Sequence, residues 1–554
     1  MQVAHHIDVR KISRRKIIYA AGAAAGTAAA ATLTASNIPT ALANRPQSQL
    51  APPPFARGVA SGDPISNSVV LWTRITAPEA QVTVRWEISS TQDFHTIVAT
   101  GDVTTDSSRD YTIHVDPFSL QPATVYFYRF IVTSGSYSGQ VSPTGRTKTA
   151  PAPGTSVDQL TLAVASCANW ESGYFSAYRD MSNRAELFDA TLFLGDYIYK
   201  YASGEYAGNG PVRLHDPAHE LRTLNDYRRR YARYRTDDNL QAAHAALPWI
   251  AVWDDHETAN NSWAHGAENH DPTTQGEWIT RRDAAMQAYF EWMPVRATSP
   301  SENGHIYRSF TFGDLAELTL MDLRTYRDEE TKSPTVATDP TRTLLGSEQY
   351  NWLINKIESS HVAWNVLGNS VMFAPLNLVA LHNNPDVSSV SNALSSNINN
   401  LPLNGDQWDG YTTERATLLQ VLEKHHKNTG ANPLFLTGDI HTEWAHTLYA
   451  PNQAADAGPL GAELVCSSVS APNVDEILGI PPNDPLTPAA QQIIQAANPH
   501  CRHVNLVHHG YSYVTIRREE AEMHWLRVNA IGDPQAPVSD KITLTWRKGQ
   551  GFTS

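Results

Sequence analysis

At 554 residues the chain is too long for one ordinary domain, and its 41% hydrophobic content can fill more than one core. A formal net charge of −14 argues against nucleic acid or anionic membrane surfaces as partners. It also repels phosphate at long range, so any phosphate-handling site in this chain needs a local source of positive charge.

The N-terminus carries Arg14-Arg15, then a mildly apolar, Ala-rich run, then Ala41-Leu42-Ala43 ahead of Asn44. Adjacent arginines, an apolar stretch and a small-residue cleavage pattern, in that order, predict a twin-arginine signal over residues 1–43. Such a signal is an address read by the twin-arginine translocation machinery, so the mature chain is expected outside the cytoplasm: periplasmic, wall-associated or extracellular. No other stretch is apolar for long enough to span a bilayer, so no stable anchor is expected after cleavage. The three cysteines, Cys167, Cys466 and Cys501, leave at least one unpaired within the chain. A Cys466–Cys501 bridge is possible, and the sequence leaves it open.

A Pro-rich linker occupies 44–54. Over 55–150 the segments "SVVLWTRI", "VTVRWEIS", "YTIHVD" and "TVYFYRFIV" alternate with period two and are rich in β-branched and aromatic residues. Turn signals separate them, which predicts an all-β sandwich of immunoglobulin or fibronectin III type. "LQPATVYFYRF" looks like the tyrosine corner of the latter. Nothing in the segment suggests chemistry, and a packing module is expected. After "TAPAPGTSVD", residues 159–554 alternate apolar strands with helical stretches. The strands "LTLAVASC", "ATLFLGD", "WIAVWDDHE", "AELTLMDLR", "WNVLGNSV" and "PLFLTGDIH" run apolar without alternation. They read as buried on both faces, hence a layered α/β domain.

In such folds ligands bind where the strands end. Those ends carry Cys167; Asp196 with Tyr199; Asp254-Asp255-His256-Glu257 with Asn260-Asn261; Asn369; and Asp439 with His441. One Asp after Gly is an ordinary turn or cap, but five donor-bearing ends in one domain point to a convergent polar site. Thiolate, phenolate and imidazole suit ferric iron, whereas clustered carboxylate and amide oxygens suit calcium or magnesium. A mixed centre of that kind polarises a phosphoryl oxygen, acidifies water and supplies the positive charge that the acidic chain lacks.

"VASC", "GDYIY", "WDDHETANN", "GNSVMF" and "LTGDIHTEWA", with "FARGVASGDPISNSVVLWTRI" and "DQWDGY", resemble in order the motifs of PhoD-type alkaline phosphatases in the calcineurin-like metallophosphoesterase superfamily. The resemblance implies a β-sandwich metallophosphoesterase domain over 159–554. It implies Cys167, Tyr199 and His441 as ligands of ferric iron, Asp196 as the bridge, and Asp255 and Asp439 on calcium; a zinc or manganese pair would fill a similar pocket. It places His256 and Asn260 near the substrate phosphate as hydrogen-bonding or acid–base groups. The implied function is an exported alkaline phosphatase acting on small phosphate monoesters through metal-activated water. The alternative is a phosphodiesterase of the same fold acting on phospholipids or teichoic acids.

Two other features are set aside. The arginines of "DYRRRYARYR" spread around more than one helix face beside a stripe of Tyr227, Tyr231 and Tyr234, and read as structural. His508 and His509 are adjacent and point in different directions from a strand, so neither is assigned to metal. The chain closes on "SDKITLTWRKGQGFTS", a strand and short tail rather than the C-terminal capping helix of some related enzymes, which leaves the site's cover to another element or to none.

Overall fold

The structure, a computed structural model, describes residues 54–298, 304–331, 333–398, 401–451 and 458–553. The predicted export signal lies outside these residues. Among the described residues no helix is long and apolar enough to cross a membrane.

Two sheets pack face to face. The larger has ten strands and a parallel centre, where Gln159–Ala165, Ala190–Leu194 and Pro248–Val252 run side by side with Leu192 opposite both Val164 and Ile250. Antiparallel strands His509–Arg517, Glu520–Val528, Val538–Arg547 and Gly551–Thr553 extend it to one edge. The smaller sheet has seven strands, with Ala316–Leu320, Trp364–Asn369, Asn432–Thr437 and Gly461–Val465 parallel at its centre. Every residue of Ala190–Leu194, Pro248–Val252, Trp364–Asn369 and Asn432–Thr437 is buried, as their unbroken apolar runs predict. Leu192 and Leu194 of one sheet share a core with Val366, Leu434, Leu436 and Leu464 of the other.

Helices cover the outer faces. Leu224–Tyr234 begins on Thr223, whose side chain accepts from the Asp226 N–H while the Asp226 carboxylate reaches back, a reciprocal cap. Its Tyr227, Tyr231 and Tyr234, spaced along one face, are buried in the core of the larger sheet, and its arginines serve structure. Arg228 pairs with Glu291, and the buried Arg230 donates to the carbonyls of Tyr199, Tyr201 and Pro217. On the smaller sheet, Ser347–Ser359 and Thr412–Thr429 bury Leu353, Ile357, Leu418 and Leu422.

The sandwich formed by residues 55–150 is not closed on itself. One of its sheets, Ile97–Asp106, Gln81–Ser89, Val125–Val132 and Gly145–Lys148, is separate and four-stranded. The other, Val59–Ile65, Ser68–Arg74 and Thr112–Val115, is the far flank of the ten-stranded sheet. Val59–Ile65 lies parallel to Pro248–Val252, with Ser61 opposite Pro248 and Gly62 opposite Trp249. A Cβ on Gly62 would stand 2.1 Å from the Pro294 carbonyl oxygen and 2.6 Å from that of Trp249. Gly62→Ala must therefore push the two segments apart, at a cost of about 1–3 kcal/mol. Urea unfolding should show a lowered midpoint in a single transition, because the shared sheet couples both parts.

Candidate metal centre

Three parallel strands of the larger sheet and one of the smaller end on the same side of the sandwich, and the residues that follow them meet. Cys167 follows Gln159–Ala165, Asp196 follows Ala190–Leu194, Asp255 follows Pro248–Val252, and Asp439 with His441 follows Asn432–Thr437. The chain turns sharply there. Cys167, Asp196, Asp439 and His441 all adopt the left-handed conformation, with φ of 59°, 60°, 64° and 60°. For residues other than glycine this costs about 1–2 kcal/mol each, and such outliers concentrate at functional sites. Gly195, φ 98°, permits the closest approach, since a Cβ there would lie 2.5 Å from that of Asp254. Backbone bonds stitch the ends together: Cys167 N–H donates to Gly195 O at 3.1 Å and Ala168 N–H to Asp196 O at 2.9 Å.

The side chains form three overlapping sets, each with ligand atoms within 4.8 Å of one another: Cys167, Asp196 and His441; Asp196, Asp255 and His256; and Asp196, Asp254, Asp255 and Asp439. Asp196 belongs to all three. At that spacing two carboxylates repel by roughly 3.5 kcal/mol in an effective dielectric of about 20. Burial, then Asp255, pushes the Asp196 carboxyl well above its ordinary range, and burial with Asp254 does the same for Asp439. Burial, then Asp196, raises the Cys167 thiol and the Tyr199 phenol. A site so crowded with acids is suited to cations.

Hydrogen bonds sort the donors. Both oxygens of Asp254 accept from Arg324, through Nε at 2.7 Å and Nη2 at 2.7 Å, so this carboxylate is paired with a counter-charge. Asp255 Oδ2 accepts from Asn261 N–H at 2.7 Å, while its Oδ1 is buried with no partner. A buried orphan oxygen is costly unless a cation or water meets it. Tyr199 OH donates to Asp196 Oδ2 at 2.9 Å and lies 3.1 Å from His441 Nε2. His441 Nδ1 is 2.9 Å from Pro472 O, which fixes the proton there and turns Nε2 inward. Burial holds the His441 pKa down to about 4, so it is the neutral imidazole a metal requires. Gln407 Nε2, in the 406–411 motif, donates to Asp439 Oδ2. The residues fit a two-cation centre, with thiol, phenol and imidazole on one side of Asp196 and carboxylates on the other.

Of the remaining predicted residues, His256 and Asn260 are buried beside the centre. His256 Nε2 is 3.9 Å from Asp196 Oδ2, and Asn260 Oδ1 accepts from Tyr201 OH at 2.6 Å. Asn369 faces inward structurally: Nδ2 bonds Val371 O and Thr437 Oγ1, and Oδ1 accepts from Trp408 Nε1. His509 is held between Glu476 at 3.1 Å and Ser468 at 2.9 Å, and His508 Nδ1 lies 2.8 Å from Asn505 Oδ1. All three cysteines are free and buried, so Cys466 and Cys501 form no bridge.

The sequence reading assigned no role to the supporting residues. Glu257 accepts from the N–H groups of Asp196, Tyr197 and Asp254, tying two strand ends together. Arg324 also reaches Asp406 at 2.8 Å, and Asp406 in turn bonds Arg327 at 2.8 Å. Lys200, fully buried, has its pKa lowered to about 7 by desolvation. The cover left open by the C-terminal strand comes from the loop after Asp196. There the Tyr206 ring stacks on Tyr199 and Tyr201, with centroids 5.7 and 5.0 Å apart, and lies 5.8 Å from the His256 ring.

Family models match the chain twice: PhoD-like phosphatase over residues 162–525, and the PhoD-like phosphatase N-terminal domain over 40–151. The chain belongs to the PhoD-like phosphatase family. This PhoD-like phosphatase is 36% identical over 555 residues to alkaline phosphatase D of Bacillus subtilis (strain 168), across 97% of this chain and 88% of that one. A solved structure of PhoD superposes with a TM-score of 0.79 at 34% identity, covering 91% of this chain and 93% of the other. A purple acid phosphatase from yellow lupin, 11% identical, matches with a TM-score of 0.51 over 88% of this chain and 73% of its own, a likeness of fold. As a PhoD-like phosphatase the protein is a phosphoric ester hydrolase, and the family's metal dependence agrees with the donor sets around Asp196.

Proposed function

We propose that this phosphatase is an exported enzyme that hydrolyses phosphate monoesters at a centre of ferric iron and calcium. Cys167, Tyr199 and His441 would hold the iron, Asp255 and Asp439 the calcium, and Asp196, common to the donor sets, would serve both. The membership of Asp196 in all three donor sets is the observation that carries this reading. The neutral imidazole of His441 and the orphan Oδ1 of Asp255 support it. When bound, the cations supply Lewis acidity toward a phosphoryl oxygen and acidify water. The chain's own residues do the rest. Glu257 and the left-handed turns fix the ligand directions, Arg324 neutralises Asp254, and Gln407 orients Asp439. His256 and Asn260, buried beside the centre, would lie next to the ester's phosphate, with Tyr206 over the His256 ring.

Metal analysis of protein purified without added metals tests the centre. About one iron per chain with calcium, a visible phenolate or thiolate charge-transfer band, and loss of 4-nitrophenyl phosphate turnover in chelator are expected. A colourless, iron-free enzyme with full activity would remove the iron assignment. Preferential cleavage of bis(4-nitrophenyl) phosphate would make the enzyme a diesterase instead. N-terminal sequencing of protein from the culture medium or periplasm should begin near Asn44.

A further inference from the structure

One fully buried cation stands away from the metal centre with no acid to answer it. Arg235 closes the helix Leu224–Tyr234 at the seam between the two parts of the chain. Its guanidinium lies 4.4 Å from the ring centroid of Trp72, on Ser68–Arg74, and 5.8 Å from that of Tyr197 in the catalytic part. Nη2 donates to Trp292 O at 3.1 Å, whereas Nε and Nη1 are buried with no partner. Among the described residues Arg235 forms no ion pair, and Asp237, two positions on, is bonded to Arg213 at 2.6 Å instead. The phenols of Tyr128 and Tyr231 lie within its electrostatic reach. Their hydroxyls are also buried without partners, and so is Trp292 Nε1. Trp292 packs on Trp72 and Tyr231, with centroids 5.8 and 6.4 Å apart. The Tyr197 hydroxyl is engaged elsewhere, 2.9 Å from His244 Nε2.

A guanidinium stays protonated throughout the working range of a protein, so burial cannot neutralise this one. The cation–π contact with Trp72 and a single hydrogen bond return part of the desolvation cost and leave two charged N–H groups unmet. We propose that Arg235 holds a chloride-sized monovalent anion between the sandwich and the catalytic part. The unmet groups around it, two guanidinium N–H, an indole N–H and two hydroxyls, can all donate to such an ion. The rings that wall the seam present positive edges, which also suit it. A buried water would satisfy a donor and leave the charge, whereas a halide answers both. A dianion does not fit, because Arg235 brings one positive charge into an aromatic, solvent-free shell. The ion ties Trp72 and Tyr128 of the sandwich to Tyr231 and Trp292 of the catalytic part through one residue.

The test melts the metal-replete enzyme in potassium chloride and in potassium methanesulfonate at equal ionic strength. The wild type should melt higher in chloride, by about 2–4 °C, and the shift should grow with the logarithm of the chloride concentration. Arg235→Met keeps an unbranched stem and removes the charge, so its melting temperature should be the same in both salts. If that variant does not fold, bromide carries the test on the wild type. Crystals grown in bromide should show an anomalous peak against Nε and Nη1 of Arg235. A chloride shift of equal size in wild type and Arg235→Met, no shift in the wild type, or a guanidinium that meets only water in bromide-grown crystals overturns the proposal. None of these readouts depends on which ester the enzyme cleaves.

Discussion

Asp196→Asn should lower kcat for a phosphate monoester by at least about 10³-fold, equivalent to about 4 kcal/mol of transition-state stabilisation. The substitution is nearly isosteric, and the Asp196 N–H bond to Glu257 involves the backbone only, so the turn survives. What disappears is the one carboxylate common to the three donor sets. A second readout separates this from general damage. In the metal-free protein the Asp196 carboxyl is raised by burial and by its acidic neighbours, so its ionisation opposes folding. In chelator the variant should melt no lower than the wild type, while added metal should stabilise it far less. Retained turnover of 4-nitrophenyl phosphate would sink the assignment.

The second large effect falls on Asp406, which touches no predicted ligand. Its carboxylate is shared by the buried guanidiniums of Arg324 and Arg327, each at 2.8 Å. Burial alone would raise its pKa, but the two arginines outweigh it and hold the carboxyl down to about 2. Removing one partner of a buried ionic network costs about 3–5 kcal/mol, because the other charges remain buried without it. Asp406→Asn should lower stability by that order in urea titrations near neutrality. Activity should fall too, because Arg324 is what occupies Asp254. The pH dependence has a definite sign. With the folded pKa depressed below the ordinary value of about 3.9, the stabilisation is complete above that pH. It fades as pH falls through about 2, so wild type and variant should converge in acid. A stability gap independent of pH would mean that the contribution of Asp406 is not electrostatic.

These two residues also mark how far the sequence could be read. Asp196 was legible because an unbroken apolar run, "ATLFL", stops at Gly-Asp, and the same held for Cys167, Asp255, Asp439 and His441. Strand ends concentrate ligands in layered α/β folds, so a local signal had a global meaning. Arg324 ends the "AELTLMDLR" strand in the same manner, and a lone arginine beside so many acids could have been taken as their counter-charge. Its partners, however, sit 70 positions earlier at Asp254 and 82 later at Asp406, and no local pattern encodes that meeting. Lys200 follows the "GDYIY" motif directly, yet only the folded chain brings it to His256. In the fold, the buried strands of both sheets followed from continuous hydrophobicity. The sharing of one sheet between residues 55–150 and the catalytic part did not. "VASGDPI" contains Gly62, Asp63 and Pro64, which read as a turn, and a parallel partner leaves no periodic trace in sequence.

That shared sheet imposes an order of events during synthesis. Val59–Ile65 leaves the ribosome about 190 residues before its neighbour Pro248–Val252 is made. At about 5–20 residues per second it waits roughly 10–40 s with one edge unpaired. The strand can hairpin at once with Ser68–Arg74, but the side that later meets Trp249 stays open until then. An open edge is a template for pairing with other chains. The nascent protein is therefore most exposed to misassembly in its first half, before any of the residues from Asp255 to His441 exists, and slowing elongation over 66–247 should lower the yield of active enzyme.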